Sequence, residues 1–416
     1  MKRFTQLTEA EFDSFSRSFR PSNFLQSAAM GRSQTERGQT VYYYGLKDND
    51  RVIAAGLFTI RPVRKIFRIA TAIGGLLMDY SNQADLQLIR QGLIEVFGKK
   101  GVVKVSFNPP FTLVERDING DIVAGGSDRH DWVDNLIGAG FNHHGYHNQY
   151  GTIDSRWFFV KDLRNINDPE ELIMTFDTQN RWATRKTQKL GITVRDLSYD
   201  ELERFVELME HTSERRGFDN RDLEYFQSLY RQFNQQDELR VLVAELDLGR
   251  HEQELIRLKQ EQEAELTEAT ERHAHRPTKK MANRVRVAQE AIDGFEQKLA
   301  DLEQLRVDGP VILLAGALFI RLGDTVTYLF SGAYDKYLSF NAPYAIQWAA
   351  MNWALESGSA FYDFYITSGK YAGYDDEGVY HFKKGFDGFV VEKPGKFSLI
   401  TKPILGKLLH MIAKEN

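Results

Sequence analysis

The apolar positions of this chain run through two successive passes of the same alternation between helical and strand spacing. In the first, Phe12, Phe15 and Phe19 recur at helical intervals behind Thr8-Glu9-Ala10-Glu11, a capping-box pattern that satisfies two of the free amides opening a helix. A second short helix is expected around residues 23–32. Strands are expected over 41–46 and 52–60, either side of the turn Lys47-Asp48-Asn49-Asp50, and another over 69–79, which contains Gly74-Gly75. Leu86, Ile89, Leu93 and Val96 then mark a helix and 102–108 a strand, which Pro109-Pro110 ends because proline donates nothing to a sheet ladder.

The second pass repeats the order. Residues 172–190 read as helix and 192–196 as strand. Leu202, Phe205 and Met209 mark one helix, Leu223, Phe226, Leu229 and Phe233 the next, and strands follow over 240–246 and 311–320. Ala55-Gly56-Leu57-Phe58 in the first pass is echoed by Ala315-Gly316-Ala317-Leu318-Phe319, and a glycine interrupting an apolar strand predicts a bulge that opens a gap between neighbours. Residues 247–308 break the pattern. They are rich in Ala, Glu, Lys, Leu, Gln and Arg, with Val285, Ile292 and Leu299 seven apart and Ala288, Phe295 and Leu302 seven apart. His275-Arg276-Pro277-Thr278 interrupts them midway. The expectation is an antiparallel coiled-coil hairpin of roughly 30 residues per arm, about 45 Å long. It is either an arm touching an extended partner such as RNA or a spacer or dimerisation strut. Asn341-Ala342-Pro343 then opens a helix whose buried face is Ile346, Ala350 and Trp353. A last amphipathic helix carries Ile404, Leu405, Leu408, Leu409 and Ile412 with Lys402, Lys407 and Lys414. It suits packing on the first domain, or a membrane surface if the substrate is lipid-linked.

Candidate chemistry concentrates in residues 361–386. An aromatic strand, 361–366, precedes a glycine-punctuated loop, 369–378, and then Tyr380-His381-Phe382-Lys383-Lys384-Gly385-Phe386. A cation between aromatic walls suits a developing negative charge, while the plain alternative is aromatic core with solvated lysines. Arg181, Arg185 and Lys189 lie four apart on one helix face, to meet phosphates or simply solvent. Arg215, Arg216 and Arg221 crowd a turn between helices, where forked guanidiniums suit a carboxylate or phosphate, or ion-pair with Asp219, Asp222 or Glu224. His143-His144 and His147 have no acidic or cysteine partner at metal-ligand spacing, so no metal is expected. No G-x-S-x-G elbow or P-loop occurs.

Composition narrows the setting. At 416 residues and 42% hydrophobic the chain buries a large core in two or three domains. With no cysteine it has neither disulfides nor thiolate chemistry, and with no apolar signal core or spanning run it is expected to work in the cytoplasm, with peripheral contact at the inner face of the membrane as an option. A net charge of −5 argues against a protein coated in nucleic acid but leaves room for a local basic patch.

The two meander-plus-helix units resemble two acyltransferase folds of the GNAT type, giving an α+β chain. The stretch 331–343 has one glycine, poorly suited to cradle the pyrophosphate of coenzyme A. Over almost its whole length the chain resembles the Fem/MurM (FemABX) family of peptidoglycan branching-peptide aminoacyltransferases. The resemblance rests on Phe24-Leu25-Gln26-Ser27, Gly74-Gly75-Leu76-Leu77-Met78-Asp79, Arg221-Asp222-Leu223-Glu224-Tyr225-Phe226, Ala342-Pro343-Tyr344-Ala345-Ile346-Gln347 and Phe382-Lys383-Lys384-Gly385-Phe386, in that order, and on the inserted helical hairpin. It implies a GNAT-like domain over residues 1–154 plus about 396–416, a second over 155–246 and 309–395, and the arm over 247–308. It implies transfer of an amino acid from aminoacyl-tRNA to a stem-peptide amine, or to a first branch residue, of a lipid-linked or UDP-linked muramyl-peptide precursor. No cofactor is needed, because the ester is already activated.

The resemblance further implies that Lys383 stabilises the oxyanion or holds the terminal adenosine, with Phe382 as a stacking wall. Arg221 and Tyr225 match positions that contact the precursor and its pyrophosphate, and Tyr328 is a further candidate for that pocket. Arg32 stands where the family usually has lysine. Where the family usually shows aspartate before proline this chain has Asn108, which cannot serve as a general base and would orient the attacking amine by a hydrogen bond. Two alternatives share the architecture: a non-catalytic tRNA-binding or scaffold homologue, and a GNAT-like acyltransferase for another amine.

Overall fold

The computed structural model describes residues 1–63, 67–147, 154–217, 219–368 and 377–406. Local signals set its helix ends. The Glu11 amide donates to Thr8 Oγ1 (3.2 Å) and the Thr8 amide to Glu11 Oε2 (2.9 Å), closing the capping box of the helix Glu9–Ser18. Pro343 sits in the first turn of the helix Ala342–Glu356, where its missing N–H costs no bond.

Two mixed sheets carry the α+β fold. The first runs Lys2–Gln6, Thr40–Asp48, Arg51–Val63, Phe67–Ala72, Val102–Phe107, Phe397–Ile400, Asn142–His143. Its one parallel pairing, Phe67–Ala72 with Val102–Phe107, is bridged by the helix Gln83–Lys99. The second runs Val114–Glu115, Phe389–Glu392, Trp157–Asp162, Phe361–Ile366, Thr325–Ala333, Val311–Leu322, Leu239–Asp247, Ile192–Asp196. Its one parallel pairing, Thr325–Ala333 with Phe361–Ile366, is bridged by the helix Ala342–Glu356. Each half therefore repeats one order: strand, two helices, a three-strand meander, a crossover helix and a parallel strand. The bulges fall just ahead of the two echoed glycines. Ile53 is skipped between Leu46↔Ala54 and Lys47↔Val52, and Leu314 between Ala244↔Ala315 and Glu245↔Leu313.

Two strand exchanges tie the halves together. Val114–Glu115 pairs with Phe389–Glu392 of the second sheet, and Phe397–Ile400 returns to pair with Val102–Phe107 of the first. At the crossing, the buried Glu392 carboxylate accepts from Arg116 Nε and from Arg156 Nη2, both at 2.6 Å.

Where the first meander turns at Asn49 and Asp50, the second sends out the helices Leu248–His275 and Lys279–Leu305. They run antiparallel, joined by ion pairs Glu252–Arg306 (2.8 Å), Lys259–Glu296 (2.8 Å) and Glu265–Arg284 (2.5 Å). Their roots are anchored: Leu248, Leu255 and Leu302 belong to the core under the second sheet, and His251 Nδ1 lies 2.7 Å from the Leu190 carbonyl. Farther out, Ala269, Ala288 and Ile292 are buried within the arm itself. The expected final helix begins within residues 403–406, and its remainder, 407–416, lies outside the described residues, as does most of the expected loop, 369–376.

Candidate active site

A narrow cleft opens between the two halves. Its first wall joins two sequence motifs about fifty residues apart. Asn23 Nδ2 donates to the Gly74 carbonyl (2.8 Å), and the buried Gln26 amide donates to Ile73 O (2.8 Å) while accepting from the Leu57 amide (2.8 Å). Phe24, Leu25 and Gly74 thereby face the cleft. Asn108, at the end of Val102–Phe107, lines it too. Its Nδ2 donates to Asp154 Oδ1 (3.1 Å), and Asp154 Oδ2 takes the Lys396 ammonium (2.7 Å).

The opposite wall is built by the aromatic strand Phe361–Ile366. Its parallel pairing with Thr325–Ala333 stops at Thr327↔Asp363, beyond which the strands part. Alternation buries Tyr362 and Phe364 in the core on one face and turns Asp363 into the cleft on the other. The pairing with Trp157–Asp162 skips between Asp363 and Ile366, and within that skip Tyr365 takes φ +65°, a conformation costing a bulky residue about 1–3 kcal/mol. The Asp363 carboxylate holds it there: Oδ1 accepts from the Tyr365 amide at 2.7 Å. Burial raises the Asp363 pKa, against the pull of Lys393 and Lys383. Lys393 lines the same cleft, its ammonium 3.8 Å from the centroid of Phe158, and burial lowers its pKa against the field of Asp363.

Lys383 reaches this wall from behind. Carried by the helix Glu377–Lys384 and 5% exposed, it donates to the carbonyl of Ile366, the cleft residue at the strand's parted end, at 2.6 Å. Phe382, half-buried, meets Tyr344 at the opening of the crossover helix, ring centroids 5.0 Å apart. The helix Thr178–Lys189 clamps the segment from outside: Asn180 Nδ2 donates to Phe382 O (3.0 Å) and the Asp177 amide to Gly385 O (2.8 Å). An added Cβ at 385 would lie 2.4 Å from the Asn180 side-chain amide, so any larger residue there would displace the clamp.

The remaining candidates divide. Tyr225 packs with Phe330 and shares a cluster with Phe24 and Tyr365, so it adjoins the cleft's edge. Two guanidiniums flank its ring, Arg37 at 4.6 Å and Arg221 at 5.5 Å from the centroid. Arg221 is exposed and makes no ion pair among the described residues, whereas Arg215 pairs with Asp335. Arg32 does not reach the cleft: Glu9 Oε1 (2.8 Å) and Gln232 Oε1 (2.9 Å) hold it between helices. Tyr328 lies one residue past the cleft-facing Thr327 and so on the opposite face, stacked on Phe319 at 5.4 Å. Of the cationic stripe, Arg185 and Lys189 are exposed, but Arg181 donates to Phe176 O (2.9 Å) and Met174 O (3.4 Å), closing the preceding helix Pro169–Thr175.

Sequence reasoning missed Asp363 and Lys393. A lone acid between Tyr362 and Phe364 was a usable signal, because an acidic residue in an aromatic strand needs a reason to be there; Lys393 carried none. His143 and His144 are bound to Pro394 O (2.9 Å) and Ser398 Oγ (2.8 Å), and among the described residues no group of three or more His, Asp or Glu side chains could hold a metal ion.

The model of the FemAB family matches residues 7–414. The aminoacyltransferase FemA of Staphylococcus epidermidis is 29% identical over 409 residues, covering 97% of each chain. The aminoacyltransferase FemA of Staphylococcus aureus (strain COL) is 30% identical over 412 residues, 97% of this chain and 96% of that one. A crystal structure of FemX superposes with a TM-score of 0.78 at 24% identity, covering 98% of this chain and 99% of its own, which shows a common fold. With a match that extends over nearly every residue, including both walls of the cleft and the arm, the chain belongs to the FemAB family.

Proposed function

We propose that this protein is an aminoacyltransferase that builds the interpeptide bridge of peptidoglycan, joining an amino acid carried by aminoacyl-tRNA to the side-chain amine of a stem peptide. The observation that carries the reading is the cleft between the halves, where Asn108, Asp363 and Lys393 converge and whose parted strand end holds Lys383. Similarity to FemA over 97% of the chain supports the same reaction class.

An amine attacking an activated ester needs alignment, removal of a proton and stabilisation of the carbonyl oxygen as it becomes an oxyanion. Lys383 supplies the charge: its ammonium is buried, so its field is less screened than at the surface. Phe382 offers a ring against which the donor's terminal base stacks. Asn108, clamped by Asp154, orients the incoming amine through its side-chain oxygen. Arg221, with Arg37 across the Tyr225 ring, presents cations to the pyrophosphate of a lipid-linked or nucleotide-linked precursor. Arg185 and Lys189 meet the tRNA backbone. Arg32 and Tyr328 act only by supporting these elements. Among the described residues no helix is long and apolar enough to cross a membrane.

The test is to incubate purified protein with labelled aminoacyl-tRNA and a lysine-containing muramyl-peptide precursor. A new amide on the lysine side chain supports the reading. Binding of tRNA with no product, on either lipid-linked or nucleotide-linked acceptor, rejects it in favour of a tRNA-binding homologue.

A further inference from the structure

The cleft contains, among the described residues that line it, one carboxylate and one ammonium, Asp363 and Lys393. The two feel each other's field without forming an ion pair. Lys393 is turned onto Phe158, and Asp363 commits Oδ1 to the Tyr365 amide. Asp363 Oδ2 has no hydrogen-bond partner among the described residues. A fixed carboxylate with one unused oxygen, set in a cleft whose Asn108 cannot take a proton, is arranged as a proton acceptor.

We propose that Asp363 is the base of the transfer, receiving the proton of the attacking amine on Oδ2, and that Lys393 is a positioning cation that keeps it ionised. The inference rests on the aminoacyl-transfer reading. As the amine nitrogen bonds to the ester carbonyl carbon, one N–H proton passes to Asp363, which becomes a neutral acid. The bond from that carbon to the leaving alcohol oxygen then breaks, and this oxygen takes the proton back. The products are an amide, an alcohol and the restored carboxylate. An acceptor arriving as ammonium first gives its extra proton to solvent.

The surroundings suit the task, because a base works best when its pKa approaches the working pH. Burial moves the Asp363 pKa in that direction, upward from its ordinary value. Lys393 from the segment after Phe389–Glu392, Lys383 from the helix Glu377–Lys384 and the Tyr365 amide restrain that rise. The other titratable neighbours, Tyr362 and Tyr365 on its own strand, are pushed upward by burial and stay neutral, as is Asn108 across the cleft.

The experiment is the pH profile of single-turnover transfer for wild type, Asp363→Asn and Lys393→Met, each first checked by thermal melting. Asparagine retains an oxygen for the Tyr365 amide, which preserves the turn. Asp363→Asn is expected to lose about 10²- to 10⁴-fold in rate together with the acid limb of the profile. Lys393→Met, which removes a cation that lowers the Asp363 pKa, is expected to move that limb to higher pH, and it decides the matter if the asparagine variant does not fold. An Asp363→Asn protein within about fivefold of wild type with its acid limb intact, or a Lys393→Met limb that does not move, overturns the assignment. Wild type that forms no amide at all instead rejects the transfer reading itself.

Discussion

Replacing Lys383 by methionine keeps the length and the apolar packing of its stem while deleting the charge, so it isolates what the ammonium contributes. A unit charge about 4 Å from a developing oxyanion at an effective dielectric of about 20 is worth about 4 kcal/mol, close to the 10²- to 10³-fold lost when one oxyanion donor is removed. Lys383 is 5% exposed and held by the Ile366 carbonyl, so little solvent rearrangement stands between that charge and the parted strand end. The same carbonyl loses its donor in the variant, which costs about 1–3 kcal/mol of stability. Single-turnover transfer at saturating acceptor, run beside urea unfolding, separates the two effects. The expected result is a rate about 10²- to 10³-fold lower with at most modest loss of stability, and partial recovery in Lys383→Arg, which restores charge on a different geometry. A folded Lys383→Met protein that transfers within about fivefold of wild type refutes the reasoning.

Arg185→Ala and Lys189→Ala should each flatten the dependence of log tRNA affinity on log salt by about 0.7–0.9, measured by filter binding, whereas Arg181→Ala should leave the slope unchanged and lower stability through loss of its carbonyl contacts. Glu392→Ala strands the buried Arg156 and the partly buried Arg116 and should cost about 3–5 kcal/mol in urea unfolding. Glu201 is held down to about 2 from 4.5, first by its hydrogen bond with Arg195. A depressed carboxylate stabilises the fold above 4.5 and loses that contribution as pH falls toward 2. Because the side chain is 31% exposed, the contribution is about 1–2 kcal/mol after screening, so Glu201→Gln should be less stable than wild type by that amount at pH 7 and equal to it below pH 2.

Much of the fold was legible because it is local. The capping box at Thr8, the proline opening the helix at 343 and the repeated order of elements need only short-range spacing. The strand exchanges were not, since Val114 meets Glu392 and Phe397 meets Phe107 across long stretches of chain that no periodicity connects. At the site, the lysine-aromatic segment marked the support of one wall, whereas the motifs around Phe24 and Gly74, which carried only a resemblance, gave no sign that they meet in the other. Alternation alone could have separated Asp363 from its aromatic neighbours had the strand's inner face been known. Arg32 and Arg181 show the opposite limit: a cation's type and spacing do not reveal whether a nearby carboxylate or carbonyl already occupies it.

The arm leaves and re-enters the second sheet at facing positions, Asp247 opposite Val311, with the Leu248 amide on the Pro310 carbonyl at 3.0 Å. Its origin is fixed relative to the cleft, while its 28- and 27-residue helices reach about 40 Å outward. Adding or removing matched whole turns beyond Leu255 and Leu302 changes that reach without altering the cleft walls. The insertion is thus a gauge with a set zero, whose length can change while the cleft stays the same.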